Sequence, residues 1–282
     1  MSLRYEDICQ DGRLVVEAMP AALGTVFWRQ AMQPSGLGQA LHRDGVIPIL
    51  TRLVTVAGEG PLSINQRLEG TARYGLATLR DTDGEVARLV LDVWIEIEGK
   101  VGRTHGPPPE ADGERVVAGR VFAEHTFTRI FATPGERKVK RLPRPLPEVP
   151  EHERPWKRPG ALLSLPDGAQ PLDEAFVLDD GPIVFGHDHT DSNQHVNSLV
   201  YPRFFREATL RRLAAHGQDA ARLTVAQETS FRKPCFAGAA MRVAVRAFRL
   251  PNQVGACCCL LADGEGVDGA PRAHAFGHVV LA

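Results

Sequence analysis

The residues with the clearest chemical potential in this chain lie between positions 187 and 198. The segment reads HDHTDSNQHVNS and holds three histidines, two aspartates and two asparagines in twelve residues. A carboxylate such as that of Asp191 can take a proton from water or attack a carbonyl carbon, and the side chains of Asn193 and His195 can orient a substrate. These residue types allow a metal site, an acid–base site or a polar loop.

The metal hypothesis rests on the alternation of His187, His189 and Asp191, because alternate side chains of an extended segment can bind one ion together. The alternation resembles the start of the HxHxDH pattern of the metallo-β-lactamase family. Ser192 stands where that pattern has its last histidine, and fewer than 100 residues follow. We therefore expect no metal ion and no other cofactor.

The segment leads into a predicted helix at residues 197–217. Apolar residues recur there at helical spacing, and Gly217 follows as a stop signal. Asn197 or Ser198 can cap the start of this helix, so a polar loop with a helix cap is one interpretation. In the catalytic interpretation, the N–H groups of residues 196–198 and the helix dipole stabilise an oxyanion.

The rest of the chain predicts two halves with similar elements. Each half has a helix candidate, at residues 35–45 and 197–217, ahead of segments that are rich in strand formers. Asp-Gly pairs such as Asp83 and Gly84 mark hairpin turns in both halves. The recurrence at an offset of roughly 180 residues indicates a duplicated unit. We predict an α+β fold in which each repeat has a helix wrapped by an antiparallel sheet.

A proline-rich segment separates the two halves. Residues 141–172 carry a proline every few positions, which excludes a helix or a central strand and favours an extended connector. We predict an N-terminal repeat at 1–140, this linker at 141–172, and a C-terminal repeat at 173–282 that carries the catalytic residues. The basic residues at 137–144 suit the phosphates of coenzyme A or an acidic carrier protein, and equally a solvated linker.

The composition excludes several classes of partner and location. The formal net charge is -1, which gives no bulk attraction to nucleic acid or to an anionic membrane. No segment reaches the roughly 18 apolar residues of a membrane span, and the first residues lack the apolar core of a signal peptide. The five cysteines include three consecutive ones and no CxxC pair. We expect reduced thiols and a cytoplasmic protein.

Residues 191–208, DSNQHVNSLVYPRFFREA, resemble the D-x-N-x-H-V-N-N-x-x-Y signature of hotdog-fold thioesterases, and most of all that of the acyl-ACP thioesterases. The matching residues are Asp191, Asn193, His195, Val196, Asn197 and Tyr201, and Ser198 replaces the second asparagine. Members of that family are tandem hotdogs with the signature in the C-terminal half. The resemblance therefore implies a double hotdog with two repeats, each a long helix wrapped by an antiparallel sheet, and one active site.

The resemblance also implies a function in fatty acid metabolism, the hydrolysis of an acyl thioester of coenzyme A or acyl carrier protein by a monomer or homodimer. Asp191 is then the general base or nucleophile, Asn193 and His195 orient water and the thioester, and Asn197 supports the oxyanion. A hydro-lyase, an acyl transferase and a non-catalytic acyl-thioester binder are alternatives, because one fold hosts several functions.

One departure from the family concerns the strand after the helix. Plant members carry Arg-Arg-Glu-Cys there, whereas this chain reads SFRKPCFAG, with Cys235 at the cysteine and Pro234 in place of the glutamate. A Cys–His–Asn nucleophile is one interpretation of Cys235, and a small buried apolar residue is the other. Glu207 either supplies the missing carboxylate or lies on a solvated helix face.

Overall fold

The computed structural model describes residues 1–33, 37–103, 107, 109–129, 131–133, 135–142, 149–219, 221–265 and 272–282. The chain divides into two compact units, Met1–Lys157 and Arg158–Ala282. The division falls inside the proline-rich segment. Among the residues described, no helix combines the length and the apolar character that a bilayer crossing requires.

The first unit is a five-stranded sheet with two helices. Its elements are a 3-10 turn Tyr5–Asp7, a π-helix Leu23–Met32, α1 Leu37–Arg43, β1 Ile47–Ala57, β2 Glu69–Arg80, β3 Val86–Lys100, β4 Arg115–Thr128 and β5 Glu151–Pro155. The strand order is β5-β2-β3-β4-β1, and all pairs are antiparallel except β2 with β5. Gly84 has φ 79° in the turn between β2 and β3, so the predicted hairpin is confirmed.

The helix of the first unit differs from the predicted one. The predicted residues 35–45 contain only α1, of seven residues, and positions 35 and 36 lie outside the described residues. A ten-residue π-helix, Leu23–Met32, precedes it, and its Phe27 is fully buried with its ring 5.4 Å from that of Tyr74. Burial of this apolar face outweighs the weak helix propensity of β-branched and aromatic residues. The described residues of this repeat therefore contain two short helical segments, and the long helix predicted for it is not shown.

The proline-rich segment also differs from a uniform extended connector. Residues 151–155 form β5, which pairs with Leu76–Arg80 of β2, and Pro159–Leu163 forms a 3-10 turn with the proline in its first positions. Arg154 donates to the fully buried carboxylate of Asp92 at 2.8 Å and to that of Glu124 at 2.6 Å. An edge strand tolerates proline, and the buried carboxylates require a cation, so the segment joins the first sheet.

The second unit repeats the strand order of the first. Its elements are β6 Gln170–Pro171, β7 Val177–Leu178, β8 Ile183–Val184, a 3-10 turn His187–His189, α2 Val200–Ala215, β9 Thr224–Phe231, β10 Ala240–Arg249, β11 Val254–Ala262 and β12 Ala275–Leu281. The order β9-β12-β11-β10 corresponds to β1-β4-β3-β2, and the short strands β6, β7 and β8 pair with β10. These four strands thus have the same antiparallel topology in the two units.

Helix α2 packs on one face of the second sheet, as its sequence pattern predicts. Tyr201, Phe205 and Ala208 are buried in a core with residues of β10, β11 and β12. Gly277 of β12 makes this packing feasible, because a Cβ atom there would lie 2.5 Å from the Phe205 ring. The three cysteines of β11 form no disulfide, and their burial confirms the predicted core strand.

Candidate active site

The signature residues form a tight turn just before α2. An isolated antiparallel bridge joins Thr190 to Val196 and closes the loop between them. The N–H of Asp191 donates to the carbonyl of His195 at 3.0 Å, and the N–H of Gln194 donates to the carbonyl of Asp191 at 2.9 Å. Gln194 has φ 63°, a conformation that is uncommon outside glycine and that clusters at functional sites.

Asp191 also shapes this turn with its side chain. Its Oδ1 accepts a hydrogen bond from the N–H of Asn193 at 2.8 Å, which is the local geometry that aspartate favours in turns. Asp191 is half-buried, whereas Asn193 and His195 are exposed. Among the described residues, no hydrogen bond joins the side chain of Asp191, Asn193 or His195 to the side chain of another of the three. The three predicted residues therefore share one turn, with the polar atoms of Asn193 and His195 available to a substrate.

The imidazole of His195 contacts an aromatic ring from another segment. The ring of Phe236 lies 5.2 Å from it, edge to face at 80°. Phe236 is 51% exposed. Sequence reasoning missed this contact because the two residues are far apart in the chain.

Asn197 and its neighbours modify the expected oxyanion site. Oδ1 of Asn197 accepts from the N–H of Leu199 at 2.9 Å, so its side chain caps the approach to α2. The N–H of Val196 donates to the carbonyl of Cys235 and that of Asn197 to the carbonyl of His189, both at 2.8 Å. Two of the backbone donors expected to hold the oxyanion, the N–H groups of Val196 and Asn197, are therefore already bonded within the protein. Of the N–H groups of residues 196–198, only that of Ser198 has no acceptor in the described part of the chain.

Cys235 lies beside the loop but has a different histidine partner from the one the signature implies. Its Sγ lies 3.4 Å from Nδ1 of His274, and that nitrogen also lies 3.1 Å from the carbonyl oxygen of Pro234. A proton on Nδ1 bonds to this carbonyl, which leaves Nδ1 unable to deprotonate the thiol. Burial raises the pKa of Cys235, and a hydrogen bond with Tyr201 opposes the rise only in part. This geometry favours the interpretation of Cys235 as a small buried residue.

Two further carboxylates belong to α2 and its surroundings. Glu207 accepts from Arg203 at 2.9 Å on the helix surface, as a solvated helix face predicts. Asp173 is buried and accepts from Arg212, from His216 at 2.7 Å and from the N–H of Ala247 at 2.8 Å. This network ties the end of α2 to β10 and so fixes the helix that follows the signature turn.

His187, His189 and Asp191 do not meet as ligands of one ion. His187 is exposed in the 3-10 turn, and Nδ1 of His189 accepts from the N–H of Gly186 at 3.2 Å. The ring of His189 also contacts the rings of Phe185 and Phe204 edge to face, with centroids 5.8 and 5.6 Å away. Among the described residues, no group of three or more His, Cys, Asp or Glu side chains has a geometry that could hold a metal ion.

Comparison with known proteins identifies the fold. No protein-family model and no curated protein sequence matches this chain. Solved structures do match along its whole length. An acyl-ACP thioesterase from Bacteroides thetaiotaomicron is 15% identical, with a TM-score of 0.58 over 100% of this chain and 96% of that one. A 12:0-ACP thioesterase from Umbellularia californica is 11% identical, with a TM-score of 0.56 over 100% of this chain and 95% of that one.

A third match is a Lactobacillus plantarum protein provisionally assigned as an oleoyl thioesterase, 12% identical with a TM-score of 0.60 over 100% of this chain and 93% of that one. The whole chain thus has the fold of the acyl-ACP thioesterases. The resemblance that the signature of residues 191–208 predicts is confirmed at the level of the fold.

Proposed function

We propose that this chain is a thioester hydrolase that converts an acyl thioester of acyl carrier protein or coenzyme A into a free acid and a thiol. The observation that carries the proposal is the D-x-N-x-H-V-N turn, which lies immediately before a helix packed on an antiparallel sheet. The shared fold of acyl-ACP thioesterases supports it. In this proposal each unit contains one hotdog repeat, and the second repeat, 173–282, carries the active site.

The proposed reaction is a direct attack of water on the thioester carbonyl. Asp191 takes a proton from water as the water oxygen bonds to the carbonyl carbon. The carbon–sulfur bond then breaks, and the leaving thiolate takes that proton. His195 and Asn193 are exposed beside Asp191 and orient the water and the thioester. The N–H of Ser198 is the backbone donor left for the oxyanion, and one such donor contributes about 3–4 kcal/mol in comparable sites.

The proposal also covers the metabolic role, location, cofactors and oligomeric state of the enzyme. Its substrates place it in fatty acid metabolism, and its reduced cysteines agree with a cytoplasmic location. It requires no metal or redox cofactor, because water and the named side chains account for every proton. We propose a monomer or a homodimer, since one chain already contains two repeats.

The test measures free thiol release from acyl-CoA and acyl-carrier-protein thioesters of different chain length. Asp191→Asn should lower kcat by about 100- to 10,000-fold, the usual contribution of a general base. Asp188→Asn is the matched control, because Asp188 lies in the same loop with 81% of its side chain exposed. Thiol release that survives in Asp191→Asn would refute the role of Asp191. An enoyl product without free thiol would identify a hydro-lyase instead.

A further inference from the structure

The main-chain atoms of Cys235 connect the signature turn to the first turn of α2. The N–H of Cys235 donates to the hydroxyl of Tyr201 at 3.2 Å. Its carbonyl accepts from the N–H of Val196 at 2.8 Å. One residue of the segment before β10 is therefore bonded both to the helix and to the residue that follows His195. We call these three residues, Val196, Cys235 and Tyr201, the clip.

The clip lies in a dry environment. Its three members are at most 5% exposed. Burial, then the neighbouring Cys235 thiol and Asp191, raise the pKa of Tyr201, so its hydroxyl stays protonated and neutral. A protonated phenol can accept the N–H of Cys235 and still donate its own proton. The Tyr201 ring is further held edge to face by Phe231 at 5.5 Å.

The residue next to the clip reaches the catalytic turn directly. Phe236 places its ring edge to face with the His195 imidazole at 5.2 Å. Cys235 and Phe236 thus contact two consecutive residues of the turn, Val196 through the main chain and His195 through the ring. An edge-to-face arrangement is one of the geometries that aromatic rings prefer, so this contact favours one orientation of the imidazole.

We infer that Tyr201 and Phe236 are positioning residues for the proposed hydrolysis. Tyr201 fixes the position of the signature turn relative to α2, because Cys235 bonds to both. Phe236 fixes the orientation of the His195 ring. The Cys235 thiol also hydrogen-bonds with the Tyr201 hydroxyl, but the bond to Val196 uses only the main-chain carbonyl of Cys235, so the inferred positioning does not require the thiol. The inference rests on the proposed function. It gives Tyr201 a positioning role that is distinct from the roles of the general base and the oxyanion donor.

The main test replaces Tyr201 by phenylalanine, which keeps the ring and removes the acceptor of the Cys235 N–H. A displacement of reacting groups by about 1 Å can cost about 100-fold in rate. We expect kcat to fall by about 10- to 100-fold while KM stays within about twofold. Thr209→Val is the matched control, because it also removes a buried hydroxyl from α2, one that bonds to the Phe205 carbonyl at 2.7 Å. This control should leave kcat unchanged.

Phe236 and Cys235 are tested with pairs of variants. Phe236→Ala should lower kcat by about tenfold, and Phe236→Tyr, which keeps the ring edge, should restore it. Cys235→Ala should retain nearly full kcat, since its main chain is unchanged. Loss of turnover in Cys235→Ala to the level of Asp191→Asn would overturn the inference, because the thiol would then perform chemistry.

An activity-independent measurement separates this inference from the proposed function. Amide hydrogen exchange reports the opening of the Val196 N–H bond in the resting protein. Exchange across residues 190–197 should become faster in Tyr201→Phe and stay unchanged in Thr209→Val. Unchanged exchange in Tyr201→Phe refutes the clip even if the wild type hydrolyses thioesters. If exchange is faster in Tyr201→Phe but the wild type releases no thiol, the clip is supported and only the proposed function is refuted.

Discussion

Replacing Asp173 by asparagine tests whether the buried carboxylate of Asp173 stabilises the packing of the end of α2 on β10. The carboxylate is buried and bonds to Arg212, His216 and the N–H of Ala247. Removing one partner of a buried ion pair costs about 3–5 kcal/mol. The side chains of Arg212 and His216 keep 29% and 25% exposure, so water recovers part of this loss. We expect a loss of about 2–3 kcal/mol, since asparagine still accepts one hydrogen bond.

The assay is thermal unfolding followed by circular dichroism. At about 4 °C per kcal/mol for a unit of this size, the midpoint of the second unit should fall by about 8–12 °C. Glu207→Gln is the matched control on the same helix, because the side chains of Glu207 and its partner Arg203 are 32% and 66% exposed and such exposed pairs contribute about 0–1 kcal/mol. A midpoint for Asp173→Asn within about 2 °C of that control would refute the reasoning.

The same residue predicts a pH dependence. Burial raises the pKa of Asp173, but hydrogen bonds from Arg212, Ala247 and His216 outweigh it, and the pKa lies below its ordinary value. The folded state therefore binds this proton less readily than the unfolded chain does. The stabilisation is complete above the unfolded value of about 3.9 and is lost as the pH falls through the lower folded value. Asp173→Asn should lack this acid-sensitive component in denaturant titrations below about pH 4.

Three other perturbations test separate parts of the structure. Thr229→Val should stabilise the second unit by about 1 kcal/mol in urea unfolding, because its buried hydroxyl has no partner among the described residues; destabilisation would mean that the hydroxyl bonds to an internal water. Arg154→Met should cost about 3 kcal/mol or more in the first unit, since it leaves Asp92 buried without its guanidinium, and an unchanged melting temperature would show that β5 is dispensable. Iodoacetamide should label Cys9 alone in the native protein and all five cysteines in urea, as counted by mass spectrometry, because burial shields the other four and raises the pKa of Cys257 to about 12. Native labelling of Cys235 would contradict its burial.

The signature turn and α2 were predictable because their signals are local. Asp191, Asn193 and Asn197 favour turns and caps through their own side chains, and the apolar residues of α2 recur with helical period. The strands of both units were also predictable, since the Asp-Gly turn at residues 83–84 and the alternation along β10 need no distant partner.

The remaining features depend on contacts between distant segments. The π-helix around Phe27 forms because the first sheet buries its apolar face. Intrinsic helix propensities do not include such tertiary burial. The N–H of Val196 is occupied by the carbonyl of Cys235, 39 residues further along, and no pattern within residues 187–198 records this bond. His274 reaches Cys235 only through the pairing of β12 with β9, where Ala275 lies opposite Phe231. Which of the predicted groups remain available to a substrate therefore depends on hydrogen bonds between distant segments, and only the structure shows those bonds.

Strand β5 has a consequence for solubility during folding. It covers Leu76–Arg80 of β2, which would otherwise present unpaired main-chain groups at the edge of the sheet. Its own sequence, EHERP, is charged and ends in proline, so its outer edge is a poor template for another strand. If the ion pair between Arg154 and Asp92 breaks and β5 detaches, the edge of β2 becomes free to pair with a strand of another copy of the chain. By covering the edge of β2, the proline-rich segment opposes intermolecular aggregation in addition to connecting the two units.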